Sequence, residues 1–217
     1  MDAIIALLGK NKTVADIGCD HGKVSVCLLK NKAAEYVYAT DISDASLQKA
    51  KELAKKEGLS NIAFLCGDGF SVLEESVDAA VIAGMGGEVI KEIIKHPNAK
   101  TKLVLQPMKD TDILYQALCE NGFSIENVVV VREGGRFYVI ILAVPGKMEA
   151  FDYSLPPLDK LKKDENARSF LEHEIYVLSK AAEGTKKTVS EEGKIRLTEL
   201  NNKMNKIREV LKNAYSK

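Results

Sequence analysis

Hydrophobic and polar residues follow two alternating patterns along the first two thirds of the chain. Short apolar runs rich in β-branched residues are separated by stretches whose apolar positions recur at helical spacing. The apolar runs predict β-strands at 13–17, 35–40, 61–66, 76–83 and 101–106. Because strands with a helix between them pair in parallel, the pattern predicts a sheet built from βαβ units.

The pattern changes after residue 106. A helical stretch at 110–122 precedes two long apolar runs, 124–133 and 136–144, which are joined only by a Glu-Gly-Gly-Arg turn. A connection this short makes a hairpin, so these two strands are predicted to be antiparallel. Parallel strands followed by a helix and an antiparallel pair are the order of the Rossmann-like class I methyltransferases, an α/β fold. This order favours S-adenosylmethionine over NAD, because the classical NAD-binding fold ends with a sixth parallel strand.

The last third of the chain lacks the strand pattern and contains a linker followed by two helical stretches. Residues 144–159 contain prolines and a glycine and are typical of a linker. Beyond it, apolar residues recur at steps of three and four in two stretches, first at Leu171, Ile175, Leu178 and Ala182, then at Leu197, Leu200, Met204, Ile207, Leu211 and Ala214. Such stripes predict an antiparallel helical hairpin with a coiled-coil-like seam. We therefore expect a methyltransferase domain at 1–150 and the hairpin at 151–217.

The composition of the chain bears on its partners and its location in the cell. The chain has 217 residues, 46% of them hydrophobic, and its 31 basic residues balance 31 acidic ones, so there is no global bias toward nucleic acid. No apolar run approaches the roughly 20 residues that cross a bilayer, and the opening residues lack the features of a secretory signal. The four cysteines are scattered without a Cys-x-x-Cys pair. We expect a cytoplasmic protein with no membrane partner, no metal site and no disulfide.

The loop after the first predicted strand contains Asp16, Gly18 and Gly22. Gly18 permits a sharp turn, and Gly22 lets the next helix start close to a ligand that its exposed amides would face. This spacing is a weak signal by itself. Asp41 strengthens it, because an acid at the end of the second strand can accept hydrogen bonds from both ribose hydroxyls. A helix cap is the other interpretation of Asp41, although Ser43 suits that position.

Two further loops follow the third and fourth strands. Asp68, between Gly67 and Gly69, can reach the exocyclic amine of an adenine while Phe70 packs on the ring, although singly this is an ordinary turn. The segment 83–87 carries three glycines and no large side chain except a methionine, so we expect backbone there to approach the donor or the substrate closely. All of these loops are predicted to meet at the carboxyl edge of the sheet, where ligands of open α/β sheets bind.

Five short motifs connect the chain to a known family. The strings ADIGCDHG, DGF, VIAGMGGEVI, LVLQP and EGGRFYVIIL occur in this order and precede the helical hairpin. Over nearly the whole chain they resemble the TrmK family of bacterial tRNA (adenine-22-N1)-methyltransferases. The resemblance implies that S-adenosylmethionine is the cofactor and that its methyl group goes to N1 of an adenine in the D arm of tRNA. Gln-Pro-Met at 106–108 departs from the Gln-Pro-Asn that the family often has.

Loop position and the resemblance together predict the site residues. Asp20 is expected to be catalytic, stabilising the positive charge that develops on the adenine or taking its N6 proton, unless it only caps the following helix. His21 is expected to contact the donor, the RNA or only the loop. The predicted cofactor-binding residues are Asp16, Gly18, Cys19, His21, Gly22, Asp41, Ile42, Gly67, Asp68, Gly69, Ala83, Gly84, Met85 and Gly86. The predicted substrate-binding residues are Gly87, Gln106, Pro107, Met108, Arg132, Arg136, Lys186 and Lys187.

The expected partner is tRNA. N1 lies on the Watson–Crick edge, so the target adenine must be unpaired or swung out of its stack. A candidate phosphate-binding face of the hairpin comprises Lys160, Lys162, Lys163, Lys186, Lys187, Lys203, Lys206 and Arg208. His96 and His173 are expected at the surface without a role.

Other interpretations of the sequence stay open. A methyltransferase of the same fold could act on a small molecule or a protein, in which case the hairpin would serve dimerisation or docking. A nicotinamide enzyme or a non-catalytic nucleotide-binding scaffold is the third class. We expect a monomer, with a dimer as the alternative.

Overall fold

The computed structural model describes residues 1–185 and 190–215. The described residues form the strands β1 (Asn11–Ile17), β2 (Ala34–Asp41), β3 (Ile62–Cys66), β4 (Ala79–Met85), β5 (Lys102–Pro107), β6 (Phe123–Glu133) and β7 (Arg136–Pro145). They also form the helices α1 (Asp2–Leu8), α2 (Lys23–Lys30), α3 (Asp44–Lys56), α4 (Gly87–Ile94), α5 (Thr111–Glu120), α6 (Glu165–Thr185) and α7 (Glu191–Tyr215). Every predicted strand is present, and α1 is an element that the hydrophobic pattern did not predict.

The strands form one twisted sheet in the order β3-β2-β1-β4-β5-β7-β6. Strands β1 to β5 pair in parallel, whereas β7 pairs antiparallel with both β5 and β6. The turn between β6 and β7 is made by Gly134 and Gly135, whose φ angles are 57° and 79°. Two residues with positive φ give the hairpin turn whose twist matches that of the strands. The predicted Rossmann-like methyltransferase fold is confirmed.

Helices cover both faces of the sheet. On one face, α4 and α5 bury Ile90, Leu114 and Leu118 against the inward side chains of β1, β4 and β5. On the opposite face, α1 and α2 bury Ile4 and Leu28. Central strands such as β4 are buried on both faces, which is why their sequences are continuous apolar runs.

The two C-terminal helices form the predicted hairpin. The first half of α6 packs against the second half of α7, so the helices run antiparallel, and Leu171 and Ile207 are fully buried in the same core as the sheet. The extended segment before α6 also belongs to this core, because Leu161 is buried and forms a β-bridge with Val128 of β6. The base of the hairpin is therefore continuous with the sheet core, and the division of the chain at residue 150 stays a prediction.

Two kinds of feature are absent from residues 1–185 and 190–215. None of the helices there combines the length and the apolar character that a membrane span requires. Within the same ranges, no cluster of His, Cys, Asp and Glu side chains has the arrangement of a metal site.

Candidate active site

Two cavities open side by side at the carboxyl edge of the sheet. The β2–β4 cavity, of about 580 Å³, is lined by the residues that follow β2 and β3, by the end of β4 and by α4. The β1–β7 cavity, of about 540 Å³, is lined by the β1–α2 loop, the ends of β4 and β5, strand β7 and the start of α1. Gly18 lines both cavities, so they adjoin at the first turn after β1.

Asp41 ends β2 and holds the β1–α2 loop in place. One carboxylate oxygen accepts a hydrogen bond from the backbone N–H of Asp20 at 2.9 Å, and the other accepts from the N–H of Ser43 at 2.8 Å. The cap of α3 is Ser43, whose hydroxyl accepts from the N–H of Ser46 at 3.2 Å, so Asp41 is not that cap. Each carboxylate oxygen keeps a lone pair for a ligand in the β2–β4 cavity.

Asp16 is a buried carboxyl group on the wall of the β1–β7 cavity. The residue is 2% exposed, and its carboxylate accepts a hydrogen bond of 2.5 Å from the hydroxyl of Ser25. Burial raises its pKa to about 6, with a smaller contribution from the charge of Asp41, although the hydrogen bond to Ser25 lowers it. The neighbouring Cys19 is also buried, which raises its thiol pKa to about 12 and keeps it protonated at neutral pH. A cation in this cavity would favour the ionised form of Asp16 and lower its pKa.

Asp20 and His21 lie at the mouth of the β1–β7 cavity. Asp20 has a left-handed backbone with φ 47°, and its side chain is 72% exposed. Its carboxylate accepts from the hydroxyl of Ser46 at 3.4 Å and lies 3.6 Å from Nε2 of His21. The N-cap of α2 is Gly22 without a side-chain cap, so the alternative of Asp20 as that cap does not hold. An exposed carboxylate at a cavity mouth is free to meet a substrate.

Two glycines of the β1–α2 loop have close neighbours within the protein itself. Gly18 has φ 69°, and a Cβ there would collide with the terminal methyl of Met85. A Cβ on Gly22 would lie 2.8 Å from the Cβ of Ala50 in α3. The need for glycine at position 22 therefore follows from the contact between α2 and α3, a physical reason other than the close approach to a ligand that the sequence suggested.

The glycines after β4 divide into two kinds. Gly84, with φ 81°, has nothing within 4 Å of where a Cβ would be, and it lines the β1–β7 cavity beside Ala83. A Cβ on Gly87 would instead collide with the backbone carbonyl of Asp110, and one on Gly86 would lie 3.2 Å from the side chain of Lys109. Of these three glycines, Gly84 is the one that faces a cavity. Glycine at 87 is required by the close packing of α4 against the loop after β5.

The loop after β3 forms the outer wall of the β2–β4 cavity. Asp68 and Ile42 both line this cavity and are both exposed, Ile42 by 77%. A Cβ on Gly67 would collide with Val72, whereas Gly69 is buried with φ 53°. Phe70 also lines the cavity, and the residue is 1% exposed. This places an acid and an apolar wall next to each other.

His96 was not expected in the site, but the structure places it there. It is half-buried and lines the β2–β4 cavity, with its ring nearly parallel to that of Phe70 at a centroid distance of 6.3 Å. Its Nδ1 accepts from the N–H of Asn98 at 3.2 Å, so Nε2 carries the proton in the neutral ring. Sequence reasoning had no signal for this position, because His96 follows the end of α4 and belongs to no motif. His173 is exposed, as expected.

The end of β5 lies on the other side of the β1–β7 cavity. Gln106 and Met108 line it, while Pro107 faces a neighbouring cleft that Met108 also lines. Tyr138 of β7 and Ile4 of α1 complete the wall and were missed from the sequence. Alternate residues of a strand lie on the same face, so Tyr138 and Ile140 face the same side of β7. This alternation was the signal that could have placed Tyr138 in the cavity wall.

The remaining predicted residues lie away from both cavities. Arg132 and Arg136 are exposed beside the β6–β7 turn, and the guanidinium of Arg132 lies 5.5 Å from the ring centroid of Phe137. Lys186 and Lys187 fall outside the described residues.

Known proteins resemble this chain in sequence and in fold. Residues 1–141 match the family described as "Methyltransferase domain". The tRNA (adenine(22)-N(1))-methyltransferase of Bacillus subtilis is 29% identical over 156 residues, which are 69% of this chain and 66% of that protein. The aligned part thus spans slightly less than two thirds of that relative's length.

Solved structures match over a longer range. The crystal structure of the B. subtilis m1A22 tRNA methyltransferase TrmK has a TM-score of 0.76 at 25% identity, covering 97% of this chain and 96% of that one. M. capricolum TrmK in complex with S-adenosyl-homocysteine has a TM-score of 0.78 at 23% identity, covering 98% and 96%, and supports the fold. The chain belongs to the methyltransferase domain family, and its similarity to these relatives supports the TrmK family that its motifs predicted.

Proposed function

We propose that this protein transfers a methyl group from S-adenosylmethionine to N1 of adenine 22 in tRNA. The observation that carries the proposal is the pair of cavities that adjoin at Gly18, on a chain whose relatives are tRNA (adenine-22-N1)-methyltransferases. Each cavity has the volume of an ordinary ligand pocket. One can hold an adenosine and the other an amino acid moiety next to an acceptor base.

The residues of the β2–β4 cavity fit an adenosine. Asp41 offers the free lone pairs of both carboxylate oxygens to ribose hydroxyls, and Asp68 at the rim can accept from an adenine amine. Phe70, Val89 and Ile93 supply apolar surface for the ring. At Gly18 the terminal methyl of Met85 occupies the space that a Cβ would take, so Gly18 and Met85 together shape the boundary between the two cavities.

The residues of the β1–β7 cavity fit the reactive end of S-adenosylmethionine, which carries the methyl group. Bound S-adenosylmethionine supplies an electrophilic methyl group on a positively charged sulfur. The buried carboxyl of Asp16, with a pKa of about 6, gains a favourable Coulomb interaction with a cation in this cavity once it is ionised. The protein's main contribution is to hold the acceptor nitrogen in line with the methyl group, because proximity and orientation remove most of the entropic barrier.

Asp20 is the proposed catalytic carboxylate. N1 of adenine has a free lone pair at neutral pH, so no proton has to leave before the methyl group is transferred. The ring becomes cationic in the transition state, and a carboxylate beside it stabilises that charge more strongly when water is excluded. The exposed carboxylate of Asp20 at the cavity mouth can turn toward a bound base, with Gln106 and Met108 on the opposite wall.

The basic side chains of the hairpin are the proposed phosphate contacts. Lys160, Lys162 and Lys206 each lie within 3.4 Å of an aspartate, which reduces their availability to RNA. Among the described residues, Lys163 and Arg208 make no such ion pair and are exposed. A tRNA substrate also supports the expected cytoplasmic location, which stays a prediction together with the monomeric state.

A methyl-transfer assay with site-specific tRNA tests the function. Purified protein is incubated with S-adenosylmethionine and a tRNA transcript carrying adenine 22, and the nucleosides are analysed by mass spectrometry. N1-methyladenosine is expected at position 22. The matched control is the same transcript with guanine 22, which should stay unmodified. Methyl transfer only to small molecules or proteins would overturn the proposal and favour the other methyltransferase class.

A further inference from the structure

A third cavity lies beside the candidate acceptor site. This α5–α6 cleft, of about 360 Å³, is bounded by α5, β7, the extended segment before α6, and α6 itself. Met108 lines both the cleft and the β1–β7 cavity, so the two share a wall at the end of β5. A ligand bound in the acceptor cavity therefore lies next to this cleft, on the other side of Met108.

The walls of the cleft are aromatic. The half-buried rings of Phe137 and Phe170 meet edge to face, with centroids 5.7 Å apart and planes at 70°. Tyr153 lines the cleft from the extended segment. Flat aromatic surfaces on which a base can stack are the usual means by which proteins hold unpaired nucleotides.

Two residues with polar groups, Tyr115 and Glu174, are among those that line this cleft. Tyr115 is 2% exposed, and its hydroxyl has no hydrogen-bond partner among the described residues. Glu174 of α6 also lines the cleft, and burial raises the pKa of its carboxyl group. The same carboxylate raises the pKa of the Tyr115 hydroxyl, after the larger effect of burial, so the two groups lie close together. A buried hydroxyl without a partner is costly unless a ligand satisfies it.

We propose that the α5–α6 cleft receives the base of the nucleotide next to the target adenine. The inference rests on the proposed tRNA substrate. A target base that swings out of its stack leaves the neighbouring base without a stacking partner. The rings of Phe137 and Phe170 replace that stacking, and the Tyr115 hydroxyl hydrogen-bonds the edge of the base.

Tyr115→Phe separates this role from a structural one. The substitution removes only the unpartnered hydroxyl, so the melting temperature should be unchanged or higher. The affinity for tRNA should fall about fivefold, as expected for one lost hydrogen bond. Tyr36→Phe, at an exposed position on β2, is the matched control and should change neither value. Tyr115→Phe with parental tRNA affinity, or with a lower melting temperature, would assign the hydroxyl to the fold and overturn its role in binding.

A double-mutant cycle identifies the base. Phe170→Leu is combined with tRNAs that carry an abasic nucleotide on the 5′ or the 3′ side of the target, and tRNA dissociation constants are measured. Each single change should weaken binding about tenfold, and the two together should weaken it no further on one side of the target. Phe64→Leu removes a half-buried ring from β3 and serves as the control for general effects on stability.

The outcomes separate this inference from the function itself. Additive losses for both abasic tRNAs, or parental affinity of Phe170→Leu, would overturn the cleft as a base site even if the parent protein methylates adenine 22. The cycle measures tRNA binding and not methyl transfer. It therefore tests whether the cleft binds a base even if the parent protein has no methyltransferase activity. A protein that does not bind tRNA at all would overturn both proposals.

Discussion

Asp16 is a carboxyl group whose ionisation the fold opposes. Its pKa of about 6 in the folded chain exceeds the ordinary value of 3.8, so the folded state binds the proton more tightly than the unfolded state. The stability from this group is therefore fully present below pH 3.8 and is lost as the pH rises through about 6.

Asp16→Asn should remove this pH dependence. Relative to the variant, the parent should lose up to about 3 kcal/mol of unfolding free energy between pH 4 and pH 7, because each pKa unit is worth about 1.4 kcal/mol. Denaturant unfolding of both proteins across this range measures the difference. A difference that is constant with pH would contradict a raised pKa at Asp16.

The two aspartates Asp41 and Asp20 should separate donor binding from methyl transfer. Asp41→Ala should weaken S-adenosyl-homocysteine binding at least tenfold, because it removes the proposed ribose contacts and two hydrogen bonds that hold the loop. Asp20→Asn should lower kcat by ten- to a thousandfold with little change in donor affinity. Asparagine tolerates the left-handed backbone at position 20, so this variant keeps the loop geometry.

Calorimetry with S-adenosyl-homocysteine and single-turnover methylation measure the two effects. Asp44→Asn, in the first turn of α3 and lining neither cavity, is the control for a lost charge nearby. An Asp20→Asn protein as fast as the parent would exclude this carboxylate from the reaction.

At the scale of an element, the turn from β4 into α4 combines Gly84, which lines a cavity, with Gly87, which packs against the backbone of Asp110. Gly87→Ala should destabilise the protein by about 2 to 3 kcal/mol, because the added methyl collides with the carbonyl of Asp110, a backbone atom that cannot rotate away. Gly84→Ala should cost only about 1 to 2 kcal/mol of backbone strain, since its φ is 81° and the space around it is open.

The two variants, Gly84→Ala and Gly87→Ala, should also differ in their effect on methyl transfer. The methyl group of Gly84→Ala projects into open space beside the β1–β7 cavity, so it should reduce methyl transfer more than fold stability. Thermal melts and kcat/KM for tRNA measured on both variants test this division. A Gly84→Ala protein with parental kcat/KM would show that backbone at this turn does not approach the ligands.

For the whole molecule, we expect the base of the helical hairpin to stabilise the sheet and its outer part to bind tRNA. Removing everything after residue 150 should destabilise the sheet, because Leu155, Leu161 and Leu171 are buried in its core. Deleting only residues 179–199 and closing the helices with a short Gly-Ser turn keeps these side chains in place. The shortened protein should keep donor affinity and lose part of its tRNA affinity, with a smaller salt dependence, because Lys186 and Lys187 are removed while Lys163 and Arg208 remain.

Filter binding at several salt concentrations measures this effect. The slope of log affinity against log salt reports how many phosphate groups the protein neutralises, so the parent and the shortened protein should differ in slope. Unchanged tRNA affinity and slope in the shortened protein would assign the outer hairpin a purely structural role.

Much of the fold followed from local patterns. The apolar runs from Thr13 to Val144 predicted every strand, since a buried strand must be apolar wherever it lies in the sheet. The hairpin seam was visible in the spacing around Leu171 and Ile207. The acids that end β1 and β2 were predicted to share an edge, and Asp16 and Asp41 line adjoining cavities there.

Contacts between residues distant in sequence could not be predicted in this way. The partners of Gly22 and Gly87 are Ala50 and Asp110, and nothing in the local pattern names them. His96 faces the β2–β4 cavity only because the end of α4 lies over Phe70. The contacts of these residues depend on how the helices pack against the rest of the fold. The sequence of a single segment does not encode that packing.

By itself the sequence determined the strands, the parallel connections, the motifs that resemble a known family and the edge of the sheet at which the two cavities lie. These depend on residue type and short spacing, and both are local. Only the tertiary structure decided which glycines face a cavity, how deeply Asp16 is buried, and that the hairpin and the sheet enclose an aromatic cleft. Those properties arise from the free energy of packing surfaces that meet only after the chain has folded.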